Sequence, residues 1–582
     1  MPRRCLNERK PSISSMVFLW FGMTMSNNKY NSLLTAVVVN FFVLLVCILL
    51  GEKFYLGIAD DYFMARVLEG AYGDSYNVCM TFVNVLYGYA LLPLYHLFPK
   101  VGWYYIGEIF AVFVSFTTVS YVIIKKMDLQ WGSILLLLLI ACFARDFYLT
   151  VQFTQCAAAL GGSGMLFFVY SLERGFTQKK VVWAFALMLW GYCMRSDAFL
   201  MGLPIFACIL LFYTRKAVAC KFRFLICAAI IILGLCGAKY ISDVHYSAPD
   251  YEKYLDFQPT RVMLGDKINY DKESVYDEIE ESGLYGEDYS LLLDWVFYDP
   301  YVFGSDSLKQ ITDKISKYTF PLNWLGLSSR ALYRFDCSIV HPCCWAFCLM
   351  GIILLALGGT RPFYVCGALI VVLSEMCYLI YLLRLVYRVE IGLWYYATVL
   401  AIPLLKGFRP IRCRIFLLVL GSLFVAYTVL FCFTGSFQRS NARGDLLEVP
   451  RQEIALTNYK AVFEYMDSMP NNTVFLVPMT TYGAFIHYRE PLYYSEPIGS
   501  LKRIVPLGFW LPYFPDVENS LREYGIENPM RDVVRGNVVV IGNNEFLLDY
   551  LRRHYYKNAE VDTLRNIGGV KFFKYSEGVS DD

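Results

Sequence analysis

Two neighbouring carboxylates, Asp60 and Asp61, follow the first long apolar run of the chain, in the segment GIADDYFMARVLEG. A carboxylate near a membrane interface is costly unless it is solvated, paired or bound to a cation, so the pair is a candidate site. Such a pair could act as a general base toward a hydroxyl group or as a ligand for a divalent cation. The alternative is a solvated helix start, because acidic residues are common in the first turn of a helix.

Further charged residues stand at the ends of other apolar runs. Their types suit a phosphate group, which guanidinium binds in a bidentate manner, or a second acid or metal ligand next to the pair. The alternative for each is an interfacial ion pair or a membrane anchor. These residues are Arg145 and Asp146 in ARDFYLT, Arg195 and Asp197 in CMRSDAF, and Arg384 and Arg388 in LLRLVYRVE. Arg384 and Arg388 would share one helical face if the helix continued through both.

Composition predicts a membrane protein. Hydrophobic residues make up 57% of the 582 residues and charged residues only 18%, which is typical of a polytopic helical membrane protein. The net charge of +2 argues against a nucleic-acid partner. Most Cys residues fall in apolar runs, and neither they nor the His residues show a metal-binding spacing. We therefore expect them to have structural roles.

The positive-inside rule sets the predicted topology. If the run at 81–98 does not span, the basic clusters between spans all face the cytoplasm together with the basic N-terminus. We therefore expect about eleven spans, an inside N-terminus and an outside C-terminus in a cell membrane. The expected spans are 32–50, 102–124, 131–149, 151–172, 181–194, 197–213, 223–241, 338–358, 362–383, 391–405 and 414–433.

This topology places the long polar loops and the C-terminal tail on the outer side of the membrane. The expected units are a cytoplasmic segment (1–31), a membrane module (32–241) whose first outer loop (51–101) holds the acidic pair, an outer loop (242–336), the remaining membrane helices (337–433) and an outer tail (434–582). The tail reads as a small α/β domain. Its expected elements are a helix at 452–469, strands at 473–477, 537–541 and 569–575, and a helix at 545–555.

Through these residues, the chain resembles the GT-C superfamily of integral-membrane glycosyltransferases over about residues 32–240 and 338–433. The matching features are ADDYFM after the first span, the Pro-containing segment YALLPLYHLFP, the acid in ARDFYLTVQFT and the stretch MRSDAFLMGLP. The first motif is Asp-Asp where relatives often have Asp-Glu, and no subfamily is assigned.

The resemblance implies a GT-C-like membrane fold and an inverting transfer of a sugar from a polyprenyl-phosphate donor. The acceptor would be an envelope glycan, a lipid or a protein. It also implies Asp60 as the catalytic base, with Asp61 beside it, and Asp146 as an auxiliary acid. Asp60 and Asp146 would be the ligands of any Mg²⁺ or Mn²⁺, and outer-face Arg residues would bind the lipid phosphate.

Other functions stay open at this point. A lipid-linked glycan flippase or another transporter would favour charges in mid-span and two repeated halves, and neither pattern is evident here. A polysaccharide polymerase would share the large outer loop. A non-catalytic membrane scaffold would leave Asp60 and Asp146 without a common pocket.

Overall fold

The computed structural model describes most of the membrane module and the tail. The described residues are 29–50, 59–127, 129–263, 280, 284–315, 324–339, 341–382, 384–405, 453–479, 481, 494–542 and 546–578. The expected cytoplasmic segment, apart from its last residues, and the expected span at 414–433 lie outside these ranges.

The first half of the chain is a series of helices joined by short turns. They are α1 (Lys29–Leu50), α2 (Ala59–Leu68), α3 (Val85–Leu97), α4 (Trp103–Lys126), α5 (Leu129–Ala144) with a π-helical turn (Arg145–Leu149), α6 (Phe153–Glu173), α7 (Gln178–Met194), α8 (Ser196–Leu200), α9 (Leu203–Leu211), α10 (Thr214–Ala219) and α11 (Lys221–Tyr246).

The second half adds the segment 242–336, the remaining apolar helices and the tail. Its helices are α12 (Glu252–Val262), α13 (Gly286–Leu293), α14 (Ser305–Ile315), α15 (Trp324–Ile339), α16 (Pro342–Leu357), α17 (Arg361–Tyr381), α18 (Tyr387–Val399), α19 (Glu453–Ser468), α20 (Pro515–Glu523) and α21 (Leu547–His554).

Within the described residues, six helical segments are long and apolar enough to cross a bilayer. They are Ser32–Leu49, Trp103–Lys126, Gly132–Leu149, Phe153–Glu173, Lys221–Tyr246 and Arg361–Tyr381. The run at 81–98 contains only the short helix α3, as expected for a segment that does not span. The run at 197–213 is divided between α8 and α9, so the count of eleven spans stays a prediction.

Helix α6 is the centre of the membrane module. Its residues from Phe153 to Leu172 are buried, and it packs against α4, α7 and α18. Small residues allow this close packing. A Cβ on Gly191 of α7 would lie 2.8 Å from the backbone nitrogen of Gly161 in α6. The two backbones therefore touch, which fixes the turn that follows α7.

The tail is an α/β unit with a mixed five-stranded sheet. Its strands are β1 (Val474–Val477), β2 (Ile504–Pro506), β3 (Val538–Ile541), β4 (Glu560–Ile567) and β5 (Val570–Ser576), in the spatial order β2-β1-β3-β5-β4. β1 pairs in parallel with β2 and β3, whereas β5 pairs antiparallel with β3 and β4. The three expected strands and the two expected helices are confirmed; β2 and β4 were not expected.

The tail is fastened to the segment 51–101, which follows α1. The Ser520 hydroxyl donates to the carbonyl of Tyr72 over 2.7 Å, and the Asn77 amide donates to Asp516 over 2.9 Å. The aromatic ring of Phe63 in α2 packs on Trp510 with ring centroids 5.9 Å apart. The tail therefore lies directly over the start of α2, where the acidic pair is found.

Described parts of the segment 242–336 pack against the tail. Asp299 accepts hydrogen bonds from the tail hydroxyls of Tyr550 over 2.7 Å and Tyr555 over 2.6 Å. Tyr254 of α12 packs edge-on against Phe514 of the tail. Three segments that are distant in the sequence thus form one cap over the acidic pair.

Candidate active site

Asp60 and Asp61 lie in the first turn of α2 but in different surroundings. Asp61 is fully buried, and its Oδ1 accepts from the hydroxyl of Tyr104 over 2.9 Å and from the backbone N–H of Phe153 over 3.3 Å. Burial raises the pKa of Asp61, opposed by the hydrogen bonds that it accepts from Tyr104 and from the N–H of Phe153. Asp61 therefore joins α2 to α4 and α6, and it offers no face to a substrate.

Asp60, in contrast, keeps 14% of its side chain exposed. Its Oδ2 lies 4.0 Å from Nη2 of Arg388 at the start of α18, and the indole nitrogen of Trp510 faces it from the tail. Burial raises the pKa of Asp60, while the charges of Arg388, Arg195 and Arg261 oppose the rise. Asp60 thus lies next to Arg388 and within the electrostatic reach of two further guanidinium groups.

Arg195 is held by the turn between α7 and α8. Its backbone is extended, with φ −162° and ψ 110°, which ends α7 and turns the side chain toward α6. The guanidinium lies 4.9 Å from the ring centroid of Phe153 and 5.9 Å from that of Phe82, and Nη1 donates to Thr154 over 3.4 Å. Two aromatic faces therefore hold the cation beside Asp60.

Arg261 is a site residue that the sequence did not point to. It lies on α12, is 5% exposed and stacks 5.1 Å from the ring of Trp295, with Nε donating to Gln258 over 3.0 Å. Its segment is a Tyr-rich acidic loop without an apolar period, so no sequence pattern marked it as facing Asp60. Trp510 was also missed, because it lies in the apolar tail segment VPLGFWLPYFP, where the sequence does not show which aromatic side chain faces Asp60.

A small cleft opens next to Arg388, with about 10 Å³ of space for water-sized molecules. Its lining is mostly apolar, with Thr154 and Arg388 as polar groups; the lining residues are Thr154, Ala158, Ala198, Met201, Arg388, Val389, Gly392, Leu393 and Tyr396. Because Thr154 also contacts Arg195, both arginines flank the same cleft. An anion with an apolar chain matches this combination of surfaces.

Asp146 belongs to a second cluster. The hydroxyl of Tyr387 donates to its Oδ1 over 2.9 Å, and its Oδ2 lies 3.6 Å from His341 Nε2 and 3.6 Å from Cys343 Sγ. Tyr387 and Arg388 are neighbours in α18, so the two clusters are linked through one helical turn. Asp146 itself does not line the cleft beside Arg388.

The donor atoms of Asp146, His341 and Cys343 lie within 4.8 Å of one another, close enough to suggest a metal site. His341 does not fit that role in this arrangement. Its Nδ1 accepts from the backbone N–H of Cys343 over 3.2 Å, so the neutral ring carries its proton on Nε2, the nitrogen that would have to bind the metal. At Asp60, the positive charges of Arg195, Arg261 and Arg388 would repel a metal cation. The proposed reaction therefore needs no metal.

The remaining candidates are placed as follows. Asp197 is exposed at the start of α8, where its charge acts on Arg195. Arg145 is half-buried on the π-helical turn, near His341.

Arg384 is half-buried in the non-helical stretch 384–386 that precedes α18. The condition for a shared helical face of Arg384 and Arg388 is not met, because α17 ends at Tyr381 and α18 begins at Tyr387.

No family model matches the sequence, and no curated protein matches it significantly. ArnT from Cupriavidus metallidurans overlaps in the apo state with a TM-score of 0.39 at 11% identity, covering 93% of this chain and 97% of that one. Its undecaprenyl phosphate complex gives a TM-score of 0.40 at 11% identity, covering 94% and 98%.

An oligosaccharyltransferase from Archaeoglobus fulgidus, in complex with Zn and sulfate, also overlaps. Its TM-score is 0.41 at 12% identity, covering 88% of this chain and 68% of that one. At TM-scores below 0.5 these overlaps do not establish a shared fold. The function proposed below therefore depends on the geometry around Asp60.

Proposed function

We propose that this protein is a membrane glycosyltransferase. It transfers a sugar from a polyprenyl-phosphate-linked donor to an acceptor hydroxyl at the outward-facing surface of the membrane. One observation supports the proposal: the partly exposed carboxylate of Asp60 lies 4.0 Å from Arg388, which lines a mostly apolar cleft, and the charges of Arg195 and Arg261 also act on it. Base, phosphate-binding cations and a place for a lipid chain are thus adjacent.

Asp60 is the general base of the proposed reaction. The acceptor oxygen attacks the anomeric carbon, its proton passes to the Asp60 carboxylate, and the bond between that carbon and the phosphate oxygen breaks. Attack from the face opposite the phosphate inverts the anomeric configuration. Because burial raises the pKa of Asp60, the carboxylate is a stronger base than an exposed one.

The arginines bind the phosphate before and after the transfer. Charge accumulates on the leaving phosphate as the bond breaks, and guanidinium groups fixed in place stabilise it without moving. Arg195 is fixed by its aromatic neighbours and Arg261 by Trp295. Holding the donor against Asp60 also supplies much of the rate through orientation.

The cleft has room for about one water molecule, so the first part of the lipid chain would lie across its apolar mouth. The lining comes from α6, α18 and the segment 198–201, and includes Ala158, Met201 and Leu393. Once the phosphate is paired with the arginines, the adjoining chain can remain in an apolar environment.

The test is the Asp60→Asn variant in a transfer assay with polyprenyl-phosphate sugars. Loss of a general base lowers kcat by about 10²- to 10⁴-fold, while the amide keeps the side chain's shape. Asp243→Asn is the matched control, because Asp243 is an exposed carboxylate that pairs with Lys239. Full activity of Asp60→Asn at normal expression removes Asp60 from the role of base.

A further inference from the structure

The position of Arg388 depends on what holds the first turn of α18. Residues 384–386 before it are not helical, and backbone hydrogen bonds such as Arg384 N–H to Leu379 O over 2.7 Å help to order them. The contact with Asp60 spans 4.0 Å between partly exposed groups, and such a pair contributes at most about 1 kcal/mol. Another interaction must therefore fix this turn.

Tyr387, directly before Arg388, supplies such an interaction. Its hydroxyl donates to Asp146 Oδ1 over 2.9 Å and accepts from the Nε2–H of His341. His341 is itself oriented by the N–H of Cys343, which donates to Nδ1. All three side chains of this network (Asp146, His341 and Tyr387) are almost fully buried. Each hydrogen bond of this network has one donor and one acceptor, so the hydrogen-bond directions are mutually consistent and support a single arrangement of the side chains.

A second contact holds the other side of the same turn. The Ser338 hydroxyl at the end of α15 donates to the Glu390 carboxylate, and both residues are buried. The first turn of α18 is thus tied to the π-helical turn, to the start of α16 and to the end of α15. Removing one partner of a buried polar contact costs about 1–3 kcal/mol.

We propose that Tyr387, Asp146 and His341 are positioning residues that hold the first turn of α18 so that Arg388 faces Asp60 and the cleft. Asp146 then acts through Tyr387 as a hydrogen-bond acceptor, without touching the substrate or a metal. The inference rests on the proposed function for the role of Arg388, but the placement of the turn can be tested without it.

The placement test is a crosslink between Asp60→Cys and Arg388→Cys, with the joined peptide quantified by mass spectrometry. Adding Tyr387→Phe removes the hydroxyl and keeps the ring, so we expect the crosslinking rate to fall several-fold. The matched control is Tyr364→Phe, which removes another buried hydroxyl that contacts α18, through Ala397 O over 2.9 Å. An equal rate in the Tyr387→Phe and control backgrounds overturns the proposal.

The binding test measures the affinity for polyprenyl phosphate by calorimetry in detergent. We expect Tyr387→Phe to weaken binding about 5- to 100-fold, from the 1–3 kcal/mol above. In an Arg388→Gln background the same change should have little further effect, whereas in an Arg195→Gln background it should keep its full effect. Equal effects in both backgrounds contradict positioning through Arg388. If the unaltered chain does not bind the lipid while the crosslink still depends on Tyr387, the proposed function fails and the positioning stands.

Asp146 variants separate positioning from metal binding. Asp146→Asn keeps an acceptor oxygen for Tyr387, so we expect near-normal affinity, whereas Asp146→Leu should resemble Tyr387→Phe. A metal ligand would not tolerate the amide. Loss of binding in Asp146→Asn, or in the unaltered protein after chelator treatment, shows that a metal holds the cluster and overturns the proposal.

Discussion

At the scale of single residues, the neighbours Asp60 and Asp61 show how environment divides chemistry between two identical side chains. Asp61 is buried and bonded to Tyr104 and Phe153, which makes it a structural residue. Asp60, one position earlier, retains access to solvent and meets the arginines. Sequence reasoning could find the pair but not this division, because it depends on contacts with α4 and α6.

The pH dependence of transfer should report on Asp60. A general base must be ionised, so kcat/KM falls as the pH decreases through its pKa. Burial raises that pKa and Arg388 opposes the rise, so the acid limb should lie above the ordinary range of an aspartate. Arg388→Gln removes the opposing charge and should move the limb to still higher pH.

The measurement is kcat/KM against pH for the free enzyme and for Arg388→Gln. Arg503→Gln is the control, since Arg503 is a tail arginine that pairs with Asp467. A limb that stays in place or moves to lower pH in Arg388→Gln would show that Asp60 is not the titrating base.

At the scale of elements, α2 is held by a buried ion pair at its C-terminal end. Arg66 pairs with Glu69, whose Oε2 also accepts from the N–H of Glu496 in the tail over 3.0 Å, and whose Oε1 accepts from Tyr95 of α3 over 3.3 Å. One carboxylate therefore fastens α2 to both α3 and the tail.

Glu69→Ala should destabilise the protein by about 3–5 kcal/mol, because it leaves a buried arginine without its carboxylate. Thermal unfolding in detergent measures this effect. Lys239→Ala is the comparison, since its exposed pair with Asp243 contributes at most about 1 kcal/mol. Similar unfolding temperatures for the two variants would contradict the anchoring role of Glu69.

The elements also show what sequence patterns can predict. In the tail, β1 and β3 are apolar runs buried along their whole length, and both were predicted to within a residue. β4 was missed because it is exposed along most of its length and lacks an alternating pattern. Of the site, Asp60, Arg195 and Arg388 were predicted because charges stand out at span ends. Arg261, on α12, and Trp510, in the tail, lie outside the expected spans, and only the tertiary structure brings them near Asp60.

At the scale of the whole molecule, three distant parts of the chain complete one site. The membrane module supplies Arg195 and Arg388, the segment 242–336 supplies Arg261, and the tail supplies Trp510. The other end of the bundle is basic. Lys126 donates to Pro403 O over 2.7 Å, and Lys216 lies within 3.5 Å of Glu173 O. Helix α4 joins the two ends, with Tyr104 at Asp61 and Lys126 about 33 Å away at 1.5 Å per residue.

This polarity predicts the orientation of the chain in its membrane. Basic ends face the cytoplasm, so the end with Asp60 and the tail should face outward. Asp562→Cys on exposed β4 should therefore react with a membrane-impermeant maleimide in intact cells. Thr177→Cys, exposed in the turn before α7 at the basic end, should react only after permeabilisation; the unaltered chain gives the background from native cysteines. Because the tail contacts α2 directly, the opposite labelling pattern would put Asp60 on the cytoplasmic side and contradict transfer at the outer surface.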